Sequence, residues 1–237
     1  MCAPSVMCPP FAICLREGTQ QAHTLTENTA FMKCFLKGMV TREPFRQLMA
    51  NLYFIYSALE DEMLNYADHP VVGAVHFPRL ERTMALEKDL EFYFGAHWRS
   101  EIKPSGKTIC YVMRIHAIAN DNPALLAAHA YVRYMGDLSG GQGLRAITRS
   151  VLGLPEGQGT AFYEFKGLST AATRRTFKAR YRDVLNSLPL DLELAKALIE
   201  EANLAFKLNR SVLKALEPLV IAEIGKERFE LVTREAT

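Results

Sequence analysis

Between Ala127 and Ile147 the chain reads AAHAYVRYMGDLSGGQGLRAI, an apolar run with helical spacing that carries four glycines. Each glycine inside a helix costs about 1 kcal/mol relative to alanine, so four in one run call for a reason beyond helix formation. Gly136, Gly140 and Gly143 recur at i, i+4 and i+7 and therefore share one face, with Arg133 one turn earlier on it. The result is a stripe free of side chains. Such a stripe admits a flat or bulky object close to the backbone, permits a tight helix crossing, or marks a broken helix with a glycine loop. Asp137 lies about 100° round from the stripe, where it could hold water or a polar ligand group. The order GDLSGGQG with no strand before it does not fit a dinucleotide-binding loop.

Flanking stretches extend the helical pattern. Leu15–Lys37 reads as one long helix stopped by Gly38, with His23 and Glu27 as i, i+4 neighbours at the end of an apolar edge. That imidazole is a possible metal ligand with Glu27 orienting it, or a hydrogen-bonded histidine without such a role. Pro44–Ala67 has the 3.6 period, and its Glu60-Asp61-Glu62 run reads as a solvated face. A connector from His69 to Pro78, a helix over Leu80–Phe94, a loop around Trp98 and a helix over Thr108–Ala119 follow, with Cys110 assigned to the core. Asn120–Pro123 starts the glycine-bearing helix, and Thr160–Phe165 reads as loop. Ser169 or Thr170 caps the next helix, where Lys178 and Arg182 form an i, i+4 basic pair suited to carboxylates or phosphates. Leu190–Leu216 is the last long helix, opened by Asp191; Phe206 and Asn209 lie on its inner face, and Asn209 there requires a buried partner. About seven helices and no sheet make the class all-α.

With 237 residues, 49% hydrophobic, the chain builds one core. The assignment is a flexible extension over 1–14, one domain over 15–224 and a loose charged tail over 225–237. A net charge of +2, with no Lys/Arg cluster interleaved with aromatics read in the chain, is too small to argue for nucleic acid as a partner. Five cysteines without CxxC spacing point to a reducing compartment. Neither a secretory signal nor a transmembrane run is expected, which makes the cytoplasm the simplest location. Cys8-Pro9 matches a dipeptide of some heme-responsive sequences, but two residues carry almost no information and a frayed tail is the preferred reading.

LREGTQQAH, TENTAFMKCFLKG, NLYFIYSALEDEM, HFPRLER, DLEFYFG and above all AHAYVRYMGDLSGGQ resemble heme oxygenase over Leu15 to Leu216. NLYFIYSA, TAFYEF and the lack of a C-terminal anchor are most similar to the soluble cyanobacterial and plastid-type enzymes. The resemblance implies a helical fold holding heme b, substrate and cofactor together, between a proximal helix and a kinked distal helix. His23 would ligate the iron with Glu27 beside it. Gly136 and Gly140 would let the distal backbone approach the porphyrin. Asp137 would hold a water that delivers a proton to the activated dioxygen, with Tyr56, Arg133 and Asn209 completing the polar network. Arg16, Lys178 and Arg182 would pair with the propionates, Tyr131 lies near that edge, and Phe206 joins the heme contacts. The implied reaction turns heme and dioxygen into biliverdin, carbon monoxide and ferrous iron, with cleavage at the α-meso carbon. Electrons would come from ferredoxin or another reductase, a bilin reductase would take the product, and the plastid stroma would be the location in a eukaryote. Gly143 departs from the branched aliphatic usual in the family, which implies a looser distal helix. Heme binding without turnover, for sequestration or sensing, is the alternative; a helical hydrolase or di-iron protein would need paired Glu-x-x-His motifs that are not visible in the sequence.

Overall fold

The computed structural model describes residues 9–234, all of whose regular structure is helical. Thirteen α-helices are present among the described residues: α1 (Phe11–Gly18), α2 (Gln20–Glu27), α3 (Ala30–Leu36), α4 (Arg42–Asn65), α5 (Val72–Val75), α6 (Thr83–Phe94), α7 (Trp98–Glu101), α8 (Gly106–Asp121), α9 (Leu126–Leu152), α10 (Ala171–Asn186), α11 (Leu192–Ala215), α12 (Glu217–Ile224) and α13 (Lys226–Arg234). Short 3-10 turns at Pro78–Leu80, Pro123–Leu125 and Ala161–Tyr163 complete the chain.

The expected all-α class holds, and several boundaries move for local reasons. The stretch read as one helix over Leu15–Lys37 is three. Thr19 turns its hydroxyl onto the Leu15 carbonyl at 2.7 Å between α1 and α2, and Thr29 caps α3 by accepting from the Met32 amide at 3.3 Å. α1 begins at Phe11, inside the segment expected to be a flexible extension, and α13 covers most of the expected loose tail. Cys2 and Cys8 lie outside the described residues. α5 and α7 occupy stretches read as connector and loop. Cys110 is exposed rather than core, because Tyr111, Ile115 and Ile118 take the inner face of α8. Glu60 is buried rather than solvated. It accepts from the Arg82 and Thr83 amides and the Thr83 hydroxyl, fixing the start of α6 from across the core.

Four caps fall where the residue types put them. Ser105, Thr170 and Asp191 accept from the amides three residues on, at 3.2, 3.1 and 2.8 Å, and Gly38 stops α3 with φ +67°. Phe31, Phe35, Phe45 and Tyr93 run through the core with successive ring centroids 6.2, 6.0 and 5.5 Å apart. Each such burial contributes about 1.5–3 kcal/mol. α9 packs on α4, α8 and α11; α1 and α2 lie on α11; α10 spans from α1 to α9. This leaves a cleft between α1–α2 and α9, closed at one end by α10. α9 runs unbroken through all four glycines, so the glycine-loop reading is not realised.

Candidate active site

The cleft encloses about 730 Å³, within the usual range for a small-molecule site. α2 presents His23, half-exposed, with Nδ1 3.3 Å from the Glu27 carboxylate. Its ring meets Phe206 of α11 edge-on at 5.6 Å. With Nδ1 held by Glu27 and one side braced by Phe206, Nε2 is the nitrogen left for a ligand. No group of three or more metal-binding side chains occurs among the described residues.

Gly136 and Gly140 of α9 form the facing wall. A β-carbon added to either would meet no atom within 4 Å. Packing inside the protein therefore does not require these glycines, and the space they free belongs to the cleft. Gly141 turns the other way, where a β-carbon would stand 3.2 Å from Tyr163. Gly143 also faces open space but does not line the cleft.

Cations gather at the rim. Arg16, Lys178 and Arg182 all line the cleft, and Lys178 Nζ donates across it to Ser139 Oγ at 3.3 Å. Partial burial, with Arg182, Arg174 and Arg175 nearby, pushes the Lys178 ammonium down from its ordinary value. Neither Lys178 nor Arg182 has a carboxylate partner among the described residues. Tyr131 completes the same end, so all nine residues assigned to heme contact meet at one cavity.

The other four assigned residues lie behind the α9 wall as one hydrogen-bonded chain. Tyr56 of α4 donates its hydroxyl to Asp137 Oδ2 in a short bond. Arg133 Nε donates to the Tyr56 hydroxyl at 3.1 Å, and Arg133 Nη1 to Asn209 Oδ1 at 2.6 Å. Asn209 thus finds the partner its position demanded. Burial pushes the Asp137 carboxyl up, against the opposing pull of Arg133 and the Tyr56 hydrogen bond. Burial also pushes the Tyr56 phenol well up, so it stays protonated as a donor. Burial works against the Arg133 charge, but Tyr56 and Asp137 outweigh it and the guanidinium stays ionised.

A second buried cluster went unread in the sequence. His129 of α9, fully buried, places Nε2 2.9 Å from Glu201 Oε1 and Nδ1 3.4 Å from the Tyr111 hydroxyl. Arg114 clamps both Glu201 oxygens from the surface side. Burial keeps His129 below its ordinary value, hence neutral. Burial alone would raise the Glu201 carboxyl; hydrogen bonds from His129 and Arg114 prevail and lower it from 4.5 to about 2. The only sequence signal was an acid at the spacing of Leu198, Ala202 and Ala205, which mark the inner stripe of α11.

Comparison with known proteins gives a consistent result. The heme oxygenase family model matches residues 9–215. Heme oxygenase 2 of Synechocystis sp. (strain ATCC 27184 / PCC 6803 / Kazusa) is 56% identical over 221 residues, covering 93% of this chain and 88% of that protein. Heme oxygenase from the alga Rhodella violacea is 45% identical over 94% of each chain. The crystal structure of heme oxygenase-2 from Synechocystis sp. PCC 6803 in complex with heme and NO superimposes with a TM-score of 0.95 at 55% identity, covering 96% of this chain and 93% of that one. Heme oxygenase-1 from the same cyanobacterium, in complex with heme, gives 0.87 at 44% identity over 94% and 99% of the two chains.

Proposed function

Given that the chain belongs to the heme oxygenase family, we propose that it oxygenates heme to biliverdin IXα, carbon monoxide and ferrous iron, cutting at the α-meso carbon. The observation that carries this reading is the opposition, in one cleft, of a half-exposed imidazole and two helical positions with no side chain and nothing where one would go. A flat macrocycle with two carboxylates fits that space. His23 faces one side, the bare backbone of Gly136 and Gly140 the other, and Arg16, Lys178 and Arg182 take the carboxylates at the rim. That two cyanobacterial relatives are crystallised in complex with heme supports heme as the molecule bound.

Heme bound there as substrate supplies the iron that activates dioxygen and the carbon that is oxygenated. The chain's own residues do the rest. His23 ligates as neutral imidazole through Nε2, oriented by Glu27 at Nδ1. Gly136 and Gly140 leave no side chain to compete with dioxygen. Asp137 holds a water through the carboxylate oxygen that Tyr56 does not occupy and passes a proton through it. Arg133 fixes Tyr56 from one side and Asn209 from the other, so the carboxylate stays aimed without rearrangement. Pairing of the cationic rim with the propionates sets which meso carbon faces the oxygen. A protein that only stored heme would have no use for this proton relay, which favours turnover over sequestration.

Arg174, Arg175, Lys178, Arg180 and Arg182 give α10 a cationic surface beside the cleft mouth, suited to an acidic electron carrier. Ferredoxin is the donor inferred, and a bilin reductase is the consumer of the product. No helix among the described residues is long and apolar enough to cross a membrane; the cytoplasm, or the plastid stroma in a eukaryote, is the inferred location. The acting unit starts at α1, not Leu15.

The decisive experiment adds hemin to the purified protein, records the Soret band, then supplies reduced ferredoxin under air with an iron chelator. Soret decay with matching free biliverdin and carbon monoxide is expected. A stable Soret band with a verified reductant would leave a heme-binding protein. His23→Ala is expected to shift the ferric Soret band and weaken heme binding, with added imidazole restoring the native spectrum. An unchanged spectrum in that variant removes the ligand assignment.

A further inference from the structure

On the opposite side of α9 lies a second cleft of about 580 Å³, sharing no lining residue with the first. Gln142 and Arg145 of α9 form one wall, and the start of α6 with the 78–82 and 161–169 segments forms the rest. Its charges are unbalanced. Of its two carboxylates, Glu81 is engaged by His76 at 3.1 Å and Glu164 by Arg145. Arg79, Lys88 and Lys166 border the same space and make no ion pair among the described residues. Arg82, 4% exposed at the base, donates to the carbonyls of Arg79, Leu80, Phe162 and Glu164 and has no carboxylate bound to it. Arg145 adds an Nε that is buried and without a partner. A buried donor left unpaired is unfavourable, and an acceptor in the cleft would satisfy it.

The lining is not purely polar. Phe165 and Leu168 are buried beneath the cations, with Phe165 stacked on the Arg82 guanidinium at 3.8 Å. Met84 stands 76% exposed at the rim, the most exposed large hydrophobic side chain among the described residues. Free cations over an apolar floor match a molecule with carboxylates on an apolar body, where a bare ion would leave the floor and Met84 uncovered.

We propose that this second cleft is a ligand site for an amphipathic carboxylate, and that the open-chain tetrapyrrole made in the first cleft is such a ligand. The identity of that ligand rests on the heme oxygenase reading above; the site rests on its own residues. Gln142 and Arg145 belong to the helix that also carries Gly136 and Gly140, so the two clefts lie on opposite sides of one element.

Biliverdin is titrated into the full-length protein, alone and after loading with one equivalent of hemin, by equilibrium dialysis and visible circular dichroism. Two equivalents are expected for the unloaded protein and one for the loaded protein. Joint Lys88→Glu and Lys166→Glu substitution weakens the equivalent that survives heme loading by about tenfold, as expected for reversing two exposed ion contacts, with the hemin Soret band unchanged. Inorganic phosphate displaces it no better than chloride at equal ionic strength. No second equivalent, a second equivalent indifferent to both charge reversals, or displacement by phosphate alone overturns the proposal. Failure of hemin to give a Soret band affects only the first cleft, and the charge-reversal comparison on unloaded protein still decides the second.

Discussion

Asp137→Ala retains heme and loses biliverdin formation by about 10²–10⁴-fold. The two effects separate because of where the residue sits. Asp137 is not among the residues lining the cleft, whose walls are built by His23, Phe206, Gly136 and Gly140, so the truncation removes no heme contact. What it removes is the acceptor for the Tyr56 hydroxyl and the counter-charge for Arg133. The water that Asp137 is proposed to hold then has no fixed position, and proton delivery fails. Asp137→Asn keeps the shape without the charge and is expected to fall between the two. The comparison is a Soret titration against the initial rate of verdin release; undiminished turnover in the alanine variant would sink the assignment. Burial raises the Asp137 carboxyl, so protonation silences the relay at a higher pH than an ordinary aspartate would, and the acid limb of the rate profile moves upward accordingly.

Glu201→Ala destabilises the fold by about 1–3 kcal/mol, the usual cost of leaving a buried polar group without its hydrogen-bond partner. Arg114 loses both its acceptors and His129 its Nε2 partner, deep between α8, α9 and α11. The urea midpoint falls with the slope unchanged. Arg114→Ala, at a position 37% exposed, is the milder companion if the first variant does not accumulate. The pH dependence has a defined sign. Glu201 is lowered on folding from 4.5 to about 2, so its contribution is complete above about pH 4.5 and drains away as pH falls toward about 2. Glu201→Gln lacks that titration, and its stability varies less across the window. Equal acid sensitivity in wild type and Glu201→Gln would mean that other carboxylates govern acid unfolding.

Local spacing made the first cleft legible. His23 with Glu27, Lys178 with Arg182, and Gly136 with Gly140 are all i, i+4 relations within single helices, and the structure turns them toward one space. The family resemblance added Tyr56 and Arg133, whose pairing spans 77 residues and leaves no local trace. Glu60 and Glu201 were opaque for the same reason. Their partners lie 22 and 72 to 87 residues away, so each reads in sequence as one more charge on a helix face. Helix ends failed where a threonine turned its hydroxyl to the backbone, as at Thr19, a competition that the periodicity of apolar residues does not register. The second cleft was invisible because its cations come from four separate stretches of chain.

A wall made of main chain has no side chain to exchange. At Gly136 and Gly140 every possible substitution adds atoms to the volume meant for the substrate, and none trims it. The 27-residue helix α9 therefore offers a fixed template there, while the short helices α1 and α2 and the cationic face of α10 are the surfaces on which selectivity can be adjusted. Redesign of this site for another macrocycle begins on those three elements.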